Sequence, residues 1–255
     1  GIRFALEGGY PALSVVSGAR MLFAGLALYV VLRWRGVAAP TRPQWRALAL
    51  MGLTMMLMGN GFVVLAEKTV SSGLAAIAIA SMPLWMGLFG LAFGRRPTTR
   101  EWLGIGVGFV GVLWLNAGSS LSAQPTGLVL LLIAPIAWAF GSVWSRGRDL
   151  PPPLMTAAGQ MMCGGMMLVP LGFAFGERLP TAPTPLGTAA LLYLAVFGSI
   201  VAFSAYLWLL NHVRPALASS YAYVNPPVAV VPGTWLADER GSAHDIGAMA
   251  VILVG

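Results

Sequence analysis

Residues 127–145 read GLVLLLIAPIAWAFGSVWS, a run with no charge in it. Polar and apolar positions do not alternate there, which argues against a strand of a membrane β-barrel, whose residues face lipid and lumen at period two. Crossing ~30 Å of hydrocarbon takes roughly 20 apolar residues as a helix, and this run meets that length. Working outward, similar runs fill nearly all the chain between punctuating Arg, Pro and Gly. They fall at 11–32, 45–66, 73–93, 101–117, 153–175, 187–210 and 216–237, with shorter pieces at 1–6 and 243–255. Hydrophobic residues make up 58% of the chain and charged residues 9%, with a mean hydropathy of +0.80. So few charges cannot cover a surface in water, so the expected fold is an all-α membrane protein with ten transmembrane helices. The two short pieces reach only part of the way across at ~1.5 Å per residue, so the first and last helices are expected to be truncated in this chain. No signal peptide is visible. The single cysteine, Cys163, lies in an apolar run, where it reads as a small packing residue with no disulfide partner in the chain.

Charge sorts the loops by side. One alternate set of gaps carries Arg33, Arg35, Arg42, Arg46, Arg95, Arg96, Arg100, Arg146, Arg148 and Arg214 against Glu101 and Asp149, a net +8. The other set carries Arg3, Lys68, Arg178 and Arg240 against Glu7, Glu67, Glu177, Asp238, Glu239 and Asp245, a net −2. Because Lys and Arg are retained on the cytoplasmic side, the first set is expected there, and with ten spans both termini are too. The formal net charge of +7 is then a topology signal. The arginines are divided among short loops and form no continuous basic face, so no nucleic-acid partner is expected.

Shifting the chain by 144 residues lays 73–111 over 217–255. Ala78 then meets Ala222, Pro83 meets Pro227, Arg96 meets Arg240, Glu101 meets Asp245 and Gly111 meets Gly255. Five helices per half is an odd number, so the second half should be inverted, with units at 1–117 and 127–255. The basic turn at Gly94-Arg95-Arg96 and the acidic one at Asp238-Glu239-Arg240 agree with that inversion. Inverted repeats are typical of secondary transporters, whose substrate sites lie between the halves near the midplane.

These features resemble the ten-helix, EamA-type branch of the drug/metabolite transporter superfamily. Pro11 followed by Ala19-Arg20 is similar to that family's proline-to-arginine start of the second helix, and Trp138-Ala139 resembles its sixth-helix signature. Phe93-Gly94-Arg95-Arg96, Trp102-Leu103-Gly104 and Gly111-Val112 resemble its turn followed by a glycine-rich helix. The second copy, Ala237-Asp238-Glu239-Arg240 to Gly247 and Gly255, keeps the acidic turn, whereas the first has Arg95 where an acid is common. The abundance of aromatic and Met positions looks most like bacterial exporters of aromatic amino acids. The resemblance implies export of small metabolites, foremost aromatic or large neutral amino acids, across a bacterial inner membrane. A multidrug or other metabolite exporter of the same fold is the alternative within the family. It also implies a pathway bounded by the first, third, fourth, sixth, eighth and ninth helices, a monomer, a small-molecule substrate within the lipid bilayer, and no cofactor.

Polar groups inside lipid are expected to face the bundle interior or a water-filled cavity. On that ground the candidate substrate-binding residues are Asn60, Ser81, Trp85, Trp138, Ser142, Phe203, Tyr206, Tyr221 and Asn225. Tyr221 and Asn225 are four apart, hence on one helix face; Met56 precedes Asn60 by four. Asn60 and Ser142 have a competing role as hydrogen bonds between neighbouring helices. Pro83, Pro226 and Pro227 occupy matching points of the two repeats and are candidate hinges, or fixed kinks that shape packing. Arg20, a charge well inside a helix, reads either as a contact for a substrate carboxylate or a gate latch, or as an arginine tied to backbone carbonyls or snorkelling to an interface. Its place nine residues into the span favours the structural reading.

Gly106–Gly111 formally matches GxGxxG, but no strand precedes it and no acid follows at the required distance, so Gly104, Gly108 and Gly111 read as a packing stripe. An intramembrane enzyme would need paired carboxylates, a metal cluster or a nucleophile with its base. His212 and His244 lie near span ends on opposite sides, no HExxH occurs and no acid is central in a complete span, so neither catalysis nor a metal is expected. A structural or receptor-like bundle remains as a third class, against which the repeat argues.

Overall fold

The computed structural model describes residues 2–94, 96–117, 124–179, 182–214, 217–218, 222 and 243–254. Among these the chain is helical, with no β-strand. A short helix, α1 (Ile2–Glu7), precedes α2 (Ala12–Trp34) and α3 (Arg42–Ala66). Helix α4 comes in two pieces, Ser72–Ala80 and Met82–Ala92. Then follow α5 (Thr99–Leu115), α6 (Pro125–Ser145), α7 (Pro153–Ala174) and α8 (Pro185–His212). The last described helix is Ala243–Val254. Six of these helices are long and apolar enough to cross a membrane: α2, α3, α4 over Leu74–Ala92, α6, α7 and α8. The described residues thus establish an all-helical, multi-span chain, which is the coarser part of the ten-helix expectation.

Two helix starts lie closer to the loops than hydropathy suggests. Thr41 and Thr98 open α3 and α5 with capping boxes: each hydroxyl accepts the N–H three residues on, from Gln44 or Glu101, whose side chain returns to the threonine N–H. The box satisfies two orphan donors in the polar boundary, so each helix begins before the apolar run does. The break in α4 falls at Ser81 (φ −73°, ψ −12°), with Pro83 in the first turn of the second piece. Pro83 has no N–H to continue the ladder, and the Ser81 hydroxyl donates to the Ala78 carbonyl at 2.6 Å, covering an acceptor at the break.

Helix α7 is the central packing element because it presents glycine to its neighbours. A methyl at Gly165 would lie 2.7 Å from Leu22 in α2, and one at Gly164 would collide with Met56 in α3. Small residues let backbones approach closely where lipid supplies no hydrophobic drive between helices. Gly111 does the same for α5, where a methyl would lie 2.7 Å from Ile252, so that glycine of the stripe is a packing position. The main core is rich in methionine, with Met21, Met51, Met55, Met56, Met82, Met86 and Met161 packed around Phe203, Tyr206, Leu207 and Leu210. Outside it, Phe23, Leu103, Leu132 and Leu192 are more than half exposed, as lipid-facing side chains should be.

Charges collect at the two ends. At one end Arg214 pairs with Glu101 at 3.1 Å, and Arg148 lies 4.5 Å over the Trp144 ring. At the other, Glu177 accepts from Leu13 N–H (3.0 Å), Ser14 N–H (2.7 Å) and Ser14 Oγ (2.8 Å), with Lys68 at 3.7 Å.

Candidate substrate cavity

Helix α8 carries small residues at Gly198, Ala202 and Ala205, spaced four and three apart and hence on one face. Opposite that face α6 presents Trp138. The room left between them is a cavity of about 750 Å³ lined by Trp138, Gly198, Ala202, Phe203, Ala205, Tyr206, Trp208 and Leu209. Phe203 meets Trp138 edge-to-face, with centroids 6.0 Å apart at 79°, and Tyr206 lies 5.7 Å from Trp138. Pockets of ~300–1,000 Å³ with mostly apolar walls and a few placed polar groups are the usual form of small-molecule sites.

The polar groups of this wall form a closed chain. Trp138 Nε1 donates to the Tyr206 hydroxyl at 3.2 Å, which lies 2.7 Å from Ser142 Oγ, and Ser142 Oγ donates to the Trp138 carbonyl at 2.8 Å. With the serine proton committed to that carbonyl, Tyr206 donates to Ser142 and accepts from Trp138. The chain fixes the indole and phenol edges, leaving aromatic faces to the cavity. Ser142 is fully buried behind the wall rather than on it.

Asn60 sits in α3 next to Gly59, which packs against Trp138, and its Oδ1 accepts from Arg20 Nη2 at 3.3 Å. Ser81 spends its hydroxyl on the α4 backbone, and Trp85 packs half-buried against the methionine core. Of the expected substrate-binding residues, the structure therefore brings Trp138, Phe203 and Tyr206 together on the cavity with Ser142 behind them. Tyr221, Asn225, Pro226 and Pro227 lie outside the described residues, as does Arg95. Ala218 and Ala222 are described and buried in the core that backs the cavity. Sequence reasoning missed Gly198, Ala202, Ala205, Trp208 and Leu209. Their small residues are the one available signal, and a small residue in a membrane helix equally marks close packing. Among the described residues no cluster of His, Cys, Asp or Glu is able to hold a metal ion.

Comparison with known proteins places this architecture. A solved crystal structure superposes with a TM-score of 0.80 at 18% identity, covering 99% of this chain and 89% of that one, a likeness of fold. The chain is 42% identical over 254 residues to "Uncharacterized inner membrane transporter YedA" of Escherichia coli K12, covering 99% of this chain and 82% of that protein. It is 28% identical over 195 residues to "Protein PecM" of Dickeya dadantii, covering 74% of this chain and 64% of that protein. Residues 2–117 and 125–255 each match the EamA-like transporter family, and the chain belongs to that family.

Proposed function

We propose that this protein is a secondary transporter of the inner membrane that exports small amphipathic metabolites, foremost aromatic or large neutral amino acids. The observation that carries the reading is the aromatic cavity of about 750 Å³, walled by Trp138, Phe203 and Tyr206, beside fixed hydrogen-bonding groups. It has room for an amino acid with a large side chain, and its walls offer apolar and cation–π surface to a side chain and an ammonium group. The name of the Escherichia coli relative, an inner membrane transporter, supports the inner membrane as the location. Within the reading, two inverted five-helix repeats, 1–117 and 127–255, rock about the cavity to give alternating access. The basic loops and both termini face the cytoplasm. The two matches to one family description support the repeat.

A counterflow screen of purified protein in liposomes over amino acids and amine drugs tests this. Exchange of labelled phenylalanine or tryptophan is expected, with flux through Trp138→Ala reduced at least about tenfold, the scale of one lost aromatic contact of ~1.4 kcal/mol. Exchange of amine drugs with no exchange of any amino acid would overturn the substrate assignment.

A further inference from the structure

Arg20 is the ninth residue of α2 and is only 6% exposed. A guanidinium carries five N–H donors and a full charge, and an unpaired charge in such a place is expensive. Yet among the described residues the partners of Arg20 are two neutral oxygens at long range: the Leu194 carbonyl, 3.4 Å from Nη1, and Asn60 Oδ1, 3.3 Å from Nη2. Among the described residues its Nε has no partner. Three residues earlier, the fully buried Ser17 Oγ is also without a partner among the described residues. The structural reading of Arg20 accounts for the carbonyl contact and leaves the charge and the remaining donors unanswered.

The backbone around Arg20 is unusual in the same place. Three stretches are wound as wide π-helical turns: Ala12–Ala19, Gly52–Gly61 and Leu194–Val201. The first ends where Arg20 begins, the second holds Asn60, and the third holds Leu194 and Gly198. All three meet at one guanidinium, and π-turns are rare features that recur at functional sites. Gly198 is also part of the cavity wall. A methyl placed on it would lie 3.4 Å from Arg20 Nη1, so the bare glycine is what separates the guanidinium from the cavity.

We propose that Arg20 is the anion-binding end of the cavity, so that the cargo is a carboxylate with an apolar or aromatic body. The carboxylate accepts a forked pair of N–H donors from Arg20, while the body lies against Trp138 and Phe203. This rests on the cavity being the transport site, and it deepens that reading by excluding cations without an acid group. It also explains the two long bonds: Asn60 and the Leu194 carbonyl hold the guanidinium in place while leaving it short of a strong acceptor. Gly198 is the passage, and its lack of a side chain is functional.

The test uses the full chain, with isothermal titration calorimetry in detergent beside counterflow in liposomes. The probes are phenylalanine, 3-phenylpropionate and 2-phenylethylamine, which share a ring and differ in charged group. Expected for the unaltered protein is binding of the two carboxylates with little binding of the amine. Arg20→Gln should weaken carboxylate binding about 30-fold, the scale of a charged hydrogen-bonded contact, and leave binding of the amine unchanged or improved. Arg20→Lys should recover part of the loss. Gly198→Leu, made at an exposed position, should weaken the carboxylates with Arg20 intact, which guards against misfolding of the Arg20 variants. Equal binding of amine and carboxylate, or variants that lose both probes alike, would overturn the anion site. Carboxylate binding without counterflow would instead overturn the transport reading and leave the site standing.

Discussion

Glu177 shows what one side chain does for the joint between distant parts of the chain. Its carboxylate caps the first turn of α2 from just beyond the end of α7, accepting the N–H groups of Leu13 and Ser14. Burial would raise its pKa, but those two bonds, the Ser14 hydroxyl and Lys68 outweigh burial and hold it below the usual carboxylate value. The folded state therefore favours ionised Glu177, and its contribution is present at neutral pH and lost as pH falls through the acid range. Glu67, just past the end of α3, has the opposite sign. Burial pushes it up to about 7, so the folded state holds its proton after the unfolded chain has released one. Stability from that residue falls as pH rises from the usual carboxylate value to about 7. Melting temperature in detergent is thus expected to peak near pH 5. Glu177→Ala should cost about 2 kcal/mol at pH 7 by orphaning two N–H groups, and Glu67→Gln should flatten the decline toward pH 7. An unchanged profile in Glu67→Gln would show that this carboxyl is not the titrating group.

At the scale of elements, the membrane segments are legible in sequence because length and apolarity alone decide them, and α2, α3, α6, α7 and α8 lie within a few residues of their expected runs. The misplaced starts of α3 and α5 have a local cause, since the threonine capping boxes at Thr41 and Thr98 extend each helix into the polar boundary. The π-turns were not legible. Their stretches, Ala12–Ala19, Gly52–Gly61 and Leu194–Val201, share no short-range residue pattern that sets them apart from ordinary apolar helix. The aromatic wall was half legible: Trp138, Phe203 and Tyr206 stand out as large residues with polar atoms, whereas the Gly198–Ala202–Ala205 face looks like any packing stripe. Genuine packing glycines behave differently under substitution. At Gly164 a methyl would meet Met56 at its Cβ, close to the backbone, where little can yield. Gly164→Ala should therefore destabilise by about 1–3 kcal/mol and lower the yield of folded protein. Gly198→Ala should leave the melting temperature unchanged, because only ordinary contacts await the new methyl. A comparable loss of stability in both would erase the distinction between packing and cavity glycines.

For the whole molecule, the remaining question is what drives the cycle. Proton-coupled exporters place a carboxylate where it can be protonated within the membrane, because burial raises its pKa and links proton release to substrate. Among the described residues no Asp or Glu lies in the middle of a spanning helix. Glu101 stands in the first turn of α5 paired with Arg214, and Glu67 and Glu177 lie just beyond the ends of α3 and α7. The central charge is a cation, Arg20, which a carboxylate cargo would neutralise on binding. A site built this way responds to the presence of cargo and needs no proton to complete its charge balance. The expected behaviour is facilitated export or exchange down the substrate gradient, without obligatory proton antiport. Liposomes loaded with phenylalanine and given a pH step, with membrane potential clamped by potassium and valinomycin, separate the two modes. Exchange should proceed at both pH values with no accumulation against the phenylalanine gradient. Accumulation driven by the pH step alone would overturn this coupling. Glu67, which burial pushes up to about 7, would then be the first acid to replace, and loss of accumulation in Glu67→Gln with exchange retained would identify it as the proton carrier.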